Sequence, residues 1–391
     1  MANTADNISS RPTGAPAEGV YPSRSDRTTR SGPVRQDVAP RVAIAGIGGY
    51  AGGELARLLL HHPKFQNSAP TFLGRAGGEA EATTALYLED LHPQLAVAGA
   101  TRKHEILSFT WERIVDAGTE VLFLATPHEQ SREWVPEAIS RGIKVIDLSG
   151  AWRLQHHTNR EVYKLKDANA EHAAQLQSEA VYGCPELHRD EIRNARIISN
   201  PGCYATSIIL ALAPLVQAGL VDLDHGIICD AKSGVSGAGK APTAKTHFMY
   251  AADNLSTYAV FGHRHTGELI EQLHITSDQI QFTPHLLPIP RGILSTIYLR
   301  LKTKTEAAAI TKVLQDFYQD SPLVRLRNTP HLPEIQHIVR TNFCDLGFAL
   351  APDGKRLIMV SCLDNLLKGA SGQAVQNLNL MCGWNEEEGL L

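Results

Sequence analysis

Ile198-Ser199-Asn200-Pro201-Gly202-Cys203-Tyr204-Ala205-Thr206 reads as the end of a strand, a tight turn, one cysteine and the start of a helix. Ile197-Ile198-Ser199 is short, apolar and β-branched, and Asn-Pro-Gly is turn chemistry: proline fixes φ and glycine admits a sharp bend. From Tyr204 onward, Ile208, Ile209, Leu212 and Leu215 recur at helical spacing. Cys203 therefore stands at a helix N-terminus, where orphan N–H groups and the helix dipole favour an anion and lower a thiol's pKa. Such a cysteine is either an inert core residue or a nucleophile on a strand-to-helix elbow. The cramped Pro-Gly approach at a strand end favours the nucleophile.

Toward the N-terminus, Arg41-Val-Ala-Ile-Ala45 reads as a buried strand, followed by Gly46-Ile-Gly48-Gly49-Tyr50-Ala51-Gly52 and a helix over 54–61. Strand, glycine turn and helix make a dinucleotide fingerprint in two overlapping registers, Gly46-x-Gly48-x-x-Ala51 and Gly46-x-x-Gly49-x-x-Gly52. Either brings backbone N–H groups to a pyrophosphate at the helix N-terminus. The next strand ends near Phe72-Leu73, where a ribose-binding acid is usual, yet no Asp or Glu lies between Leu55 and Gly78. Arg75 stands there on a glycine-rich loop, which suits the 2′-phosphate of NADP better than the free ribose of NAD. Further strand ends run into Thr126-Pro127-His128 and Ser149-Gly150-Ala151-Trp152-Arg153. In a doubly wound sheet all these loops face one crevice. Residues 79–109 pattern weakly and read as mixed and partly loop.

Beyond Cys203 the order changes. A strand over 226–232 precedes the second glycine-rich loop, Ser233-Gly-Val-Ser-Gly-Ala-Gly-Lys240, whose spacing is not that of a Walker A loop. Gly262-His263-Arg264-His265-Thr266-Gly267-Glu268 opens a helix with a polar cluster that has no obvious structural need. The stiff stretch Pro284–Arg291 leads to an alternating strand over 293–301, another strand covers 357–363, and a final helix runs through Met381.

At 391 residues the chain is long enough for two domains, and 43% hydrophobic with 20% charged residues is the balance of a soluble globular protein. A formal net charge of −4 leaves no basic footprint for nucleic acid. No apolar run approaches the ~20 residues of a membrane span. The six cysteines carry no CxxC spacing and the 17 histidines no HExxH, so reduced thiols and no metal site are expected. Residues 1–40 nearly lack large aliphatics and read as a disordered tail; their acidic residues argue against a transit peptide, and the chain is expected in the cytoplasm.

From residue 41 to 383 the chain resembles the N-acetyl-gamma-glutamyl-phosphate reductases. The motifs that carry the resemblance are Ile198–Thr206 with Ala213-Pro214, Phe123–His128, Val145–Ser149, Tyr182–Glu186, Lys232–Gly239, Gly262–His265, Phe282–His285, Arg291-Gly292 and Asp364–Gly369. The resemblance implies an α/β fold: a Rossmann-like dinucleotide-binding domain at 41–201 and an α+β catalytic and dimerisation domain at 202–363. Residues 364–391 would return as a helix to the first. It implies NADPH-dependent reduction of an acyl phosphate to an aldehyde through a Cys203 thioester, a step of arginine biosynthesis, in a homodimer or homotetramer.

The resemblance also implies the site. His263 is the favoured acid/base and His265 the alternative, with Glu268 orienting an imidazole or meeting the substrate. Gly46, Gly48, Gly49, Tyr50, Gly52, Arg75, Pro127, Ser233, Gly234 and Asn365 would hold NADP(H). Ser149, Arg153, Arg264 and Arg291 would meet the substrate, the arginines as clamps for carboxylate or phosphate unless they are ordinary ion pairs. A relative acting on aspartyl phosphate, or a cofactor-binding scaffold with a dead site, are the competing readings.

Overall fold

The run Val42–Ala45 is buried along its whole length and forms β1. A strand covered on both faces belongs in a parallel sheet. The computed structural model describes residues 38–74, 85–96, 103–327 and 331–391, so the tail expected over 1–40 lies outside them through residue 37. With β1 stand β2 (Thr71–Leu73), β3 (Ile106–Leu107), β4 (Val121–Leu124), β5 (Lys144–Asp147), β6 (Val181–Tyr182) and β7 (Ile197–Ser199). Their order is β3-β2-β1-β4-β5-β7-β6, with every neighbouring pair parallel. The chain winds outward one way from β1 and the other way from β4. That reversal opens a crevice beyond the carboxyl ends of these two strands.

Helix α1 (Tyr50–His61) follows β1, α2 (His128–Ser140) follows β4, α3 (Pro185–Asn194) follows β6 and α4 (Cys203–Gln217) follows β7. Helix α1 begins four residues before the expected Glu54. Gly52 and Gly53 let it lie close against its neighbours: a Cβ on Gly52 would stand 2.3 Å from the Gly46 carbonyl oxygen, and one on Gly53 2.4 Å from the His92 ring. In the segment that patterned weakly, the described residues hold a helical turn at Leu88–Leu91 and β3.

The second sheet comprises β8 (Ile227–Gly234), β9 (Ser256–Thr257), β10 (Ile280–Leu287), β11 (Ile293–Arg300), β12 (Val324–Leu326), β13 (Cys344–Leu350) and β14 (Arg356–Leu363). Its order is β12-β13-β14-β11-β8-β10-β9, and it is mixed: β8 and β10 pair in parallel, while β11 is antiparallel to both its neighbours. Helices α4, α5 (Thr266–Leu273) and α6 (Ala307–Tyr318) share one core with this sheet, joining Ile208, Leu212, Leu269 and Leu314 to Cys229, Ile293, Ile297 and Met359. On the opposite face Ile228 and Tyr298 remain 47% and 42% exposed.

The stretch from Pro284, expected as a stiff lead-in, is the second half of β10 as far as Leu287. The Pro284 carbonyl accepts from Tyr258 N–H at 3.2 Å. In a strand the nitrogen and carbonyl of one residue point the same way, so the missing N–H faces the short edge strand and the ladder to β8 is intact. After β14 a π-helical turn, Leu367–Ser371, leads into α7 (Gly372–Met381). Helix α7 returns to the first sheet, where Ala374, Val375 and Leu378 pack with Leu55, Leu59, Ile44, Phe123 and Ile146. No helix among the described residues is long and apolar enough to cross a membrane.

Candidate active site

Strand β7 delivers the chain to Asn200-Pro201-Gly202, and α4 starts at Cys203 with Gly202 as its N-cap and no side-chain cap. The first-turn amides are left facing the crevice. Gly202 is needed here because a Cβ would lie 2.3 Å from His265 Nε2. The His265 ring thus rests on the backbone of the residue next to the thiol. Gly369, in the π-helical turn, closes the other side: a Cβ there would stand 2.8 Å from that of Cys203. Of the six cysteines, Cys203 alone is not fully buried.

Glu268, at 0% exposure, holds this turn. Its Oε2 accepts from Gly202 N–H at 2.9 Å and from the Tyr182 hydroxyl at 2.6 Å, and its Oε1 from Arg153 Nη1 at 3.1 Å. The same Oε1 is 4.0 Å from His265 Nε2. Arg153 lines the crevice, but Nε is given to the Asn200 carbonyl and Nη2 to that of Leu148, at 2.7 and 2.9 Å. It serves the frame of the turn through the ion pair with Glu268, the alternative left open for this arginine.

The two histidines of the Gly262–His265 motif part company. His265 lines the crevice. His263 does not: its Nδ1 accepts from the His265 backbone N–H at 3.1 Å, and its ring stands edge-on to Tyr204, Tyr258 and Phe282. The order of preference drawn from sequence, His263 before His265, is therefore reversed by the geometry. The thiol expectation also changes. Burial pushes Cys203 up to about 11, outweighing the Tyr204 N–H and Arg153, which both pull down. Burial, then His263 and the arginines, hold His265 well below the ordinary histidine range. A protonated thiol thus shares the crevice with a neutral imidazole.

Two further expected contacts are corrected. Ser149 is buried, donates to Asp147 Oδ2 at 2.8 Å and accepts from Ala151 N–H at 3.1 Å, so its hydroxyl is consumed below the crevice floor. Arg291 is paired with Glu54 of α1 at 2.5 Å and with Asp364 at 3.5 Å, tying the two halves together rather than facing a ligand. Arg264 does line the crevice, beside His128.

On the cofactor side, Gly49, Tyr50, Ala51 and Gly52 line a cavity of about 320 Å³. Gly46 turns the chain at φ +89°, and a Cβ at Gly48 would meet nothing within 4 Å. With Gly49 as an N-cap without side-chain bond, the amides of α1 face open space suited to a pyrophosphate. Asn365 reaches the crevice, held by Gly292 N–H at 2.8 Å and donating to Ser236 at 2.9 Å. Ser233 and Gly234 do not: Ser233 is buried, and a Cβ on Gly234 would sit 2.7 Å from Arg291 N. From that loop Ser236, Gly237, Gly239 and Lys240 reach the site instead, and Lys240 Nζ donates to the Gly48 carbonyl at 3.1 Å. Pro127 N-caps α2, and its neighbour His128 lines the crevice. Arg75 lies outside the described residues.

Sequence reasoning passed over Tyr163, and named His128 and Lys240 only as parts of loops. The strand-end position of Thr126-Pro127-His128 was a usable signal, whereas nothing local marks Tyr163. Among the described residues no group of three or more His, Cys, Asp or Glu is placed to hold a metal ion.

Residues 41–195 match the family profile "Semialdehyde dehydrogenase, NAD binding domain", and residues 203–365 match "Semialdehyde dehydrogenase, dimerisation domain". The chain is 41% identical over 358 residues to the N-acetyl-gamma-glutamyl-phosphate reductase of Desulforapulum autotrophicum, covering 90% of this chain and 97% of that one. It is 40% identical over 351 residues to the protein of the same name from Methanocaldococcus jannaschii, with coverages of 89% and 97%. Among solved structures, aspartate semialdehyde dehydrogenase II from Vibrio cholerae superposes with a TM-score of 0.63 over 88% of this chain and 98% of that one. At 18% identity that likeness is one of fold.

Proposed function

Because this chain belongs to the N-acetyl-gamma-glutamyl-phosphate reductase family, we propose that Cys203 is its nucleophile, His265 its acid/base and NADP(H) its cofactor. The protein is an oxidoreductase of arginine biosynthesis that reduces N-acetyl-L-glutamyl 5-phosphate to the 5-semialdehyde and releases phosphate. The observation that carries the residue assignment is the His265 ring against Gly202, one residue from the least buried thiol of the chain.

With thiol and imidazole both neutral at rest, the Sγ proton passes to His265 as sulfur bonds the acyl carbon. The carbon–oxygen bond to the phosphoryl group breaks, and the proton goes with the departing phosphate. A Cys203 thioester remains. Glu268 holds Gly202 in place and lies close enough to His265 to stabilise its charged form. Gly49–Gly52 and the 236–240 loop would hold the cofactor, which would supply hydride to the thioester carbon; the carbon–sulfur bond then breaks to leave the aldehyde. His265, having taken a fresh proton from solvent, then passes it to the released sulfur. The reaction is tested by comparing oxidation of N-acetylglutamate semialdehyde and aspartate semialdehyde with NADP and phosphate; preference for the second would sink the substrate assignment.

Residues 41–195 are a nicotinamide-cofactor domain of the semialdehyde dehydrogenase type. The preference for NADP rests on Arg75 and the missing acid between Leu55 and Gly78. A guanidinium makes paired, charge-assisted bonds to a 2′-phosphate, each contributing about 1.5–3 kcal/mol. Arg75→Ala is expected to weaken NADPH roughly tenfold to a hundredfold in a fluorescence titration and to leave NADH nearly unchanged. Equal weakening of both would show that Arg75 supports the loop instead.

We divide the chain functionally into 41–201 for the cofactor, 202–363 for catalysis and assembly, and 364–391 returning to the first part. The dimerisation-domain match over 203–365 supports an oligomer. A homodimer or homotetramer formed through the outer face of the second sheet would cover Ile228 and Tyr298. Replacing both by aspartate buries charge at such a contact and should bring the sedimenting mass down to that of one chain. An unchanged mass would place the contact elsewhere.

A further inference from the structure

The crevice holds a second polar cluster that the cysteine–histidine chemistry leaves unused. His128, the first residue of α2, accepts a hydrogen bond at Nδ1 from Gly150 N–H at 2.8 Å. In a neutral ring the proton then sits on Nε2. Burial, with Arg264 and Arg153 next in weight, pushes the pKa of His128 down to about 4, so the ring is neutral at ordinary pH. Yet Nε2 faces Nη1 of Arg264 at contact distance. Two N–H donors meet there with no acceptor between them.

Tyr163 adds a third donor. It is 8% exposed, lines the crevice beside the two, and its hydroxyl is buried with no acceptor, the donor Arg153 standing beside it. Its ring is edge-on to His128 at 4.9 Å between centroids and lies 5.8 Å from the Arg264 guanidinium. The first-turn amides of α2 point the same way, since Pro127 caps it without a side-chain bond. Glu129 is the one carboxylate acting on His128, and it is the weakest influence. The Tyr163 hydroxyl, buried without an acceptor, is costly to leave so, and one anion would satisfy it together with the half-buried His128 ring and the exposed Arg264 guanidinium.

We propose that His128, Arg264 and Tyr163 form the subsite for the phosphoryl group of the acyl phosphate, and for inorganic phosphate when the reaction runs in reverse. The proposal rests on the acyl-phosphate reading given above. Donors from a ring, a guanidinium, a phenol and a helix end converge from several directions, which suits a tetrahedral oxyanion better than a planar carboxylate. Arg264 is adjacent in the chain to His265, so phosphate held here departs next to the imidazole that carries the thiol proton.

The test is the reverse reaction, varying phosphate and N-acetylglutamate semialdehyde in turn, with Tyr163→Phe and Arg264→Gln. Loss of one bond to a charged group predicts a rise in KM for phosphate of about tenfold to a hundredfold, with KM for the aldehyde within about twofold. A second readout needs neither cofactor nor turnover. Phosphate should raise the melting temperature of the wild type above a chloride control of equal ionic strength, and should do so much less in either variant. A rise in KM for the aldehyde instead would overturn the proposal, since the cluster would then read the substrate carboxylate. So would variants that melt lower without phosphate but respond to it as the wild type does. A wild type inert toward the semialdehyde yet stabilised by phosphate, with the variants unresponsive, would refute the substrate reading and still support the anion site.

Discussion

Cys203→Ser is expected to take reductase turnover below about one hundredth of wild type, with cofactor binding and melting temperature nearly unchanged. A hydroxyl has almost the same volume but is a far weaker nucleophile, and no other cysteine can stand in, since the remaining five are buried. Burial holds the Cys203 thiol protonated to about 11, so its alkylation by iodoacetamide in the free protein should be slow at neutral pH and accelerate as pH rises. A serine variant that kept more than a few per cent of turnover would exclude the thioester route.

His265→Asn should lower kcat by about 10²- to 10⁴-fold while KM stays within a few-fold, because the ring acts on the thiol proton rather than on binding. His263→Asn should cost less than about tenfold in kcat and act mainly through stability, since it removes a ring from an aromatic nest. The sign of the pH dependence follows from the depressed pKa of His265. A base held well below the ordinary histidine range stays unprotonated through mildly acidic pH, so kcat should not fall on going from neutrality to pH 6 on account of this ring. If His263→Asn were the more damaging change, the base would be His263 and the packing seen here would be misleading.

The elbow around Cys203 was legible because its causes are local: a β-branched run, a Pro-Gly turn and helical periodicity within the 19 residues from Ile197 to Leu215. The first glycine loop was legible for the same reason, although α1 starts at Tyr50, earlier than the apolar pattern alone suggests. What could not be read depends on partners distant in sequence. Arg291 looks free until Glu54, 237 residues away, is brought beside it. Ser149 and Arg153 look like ligands until Asp147, Asn200 and Glu268 take their donors. His263 and His265 are two residues apart, and only tertiary packing decides which ring meets Gly202. A helix N-terminus visible in sequence argued for an acidic thiol; burial, invisible there, argues the other way and wins.

Helix α7 carries a consequence for how the molecule is made. The first sheet is complete in strands once Ser199 has been synthesised. One of its faces, with Ile44, Phe123 and Ile146, is nevertheless covered by Ala374, Val375 and Leu378, close to the end of the chain. On the ribosome, the earlier half to emerge keeps an apolar surface bare until residues 374–378 have followed the whole second sheet. The usual order in which an N-terminal domain folds first and alone is therefore interrupted here. The nascent chain must shield that surface, or have it shielded, for the whole time that the second sheet is being translated.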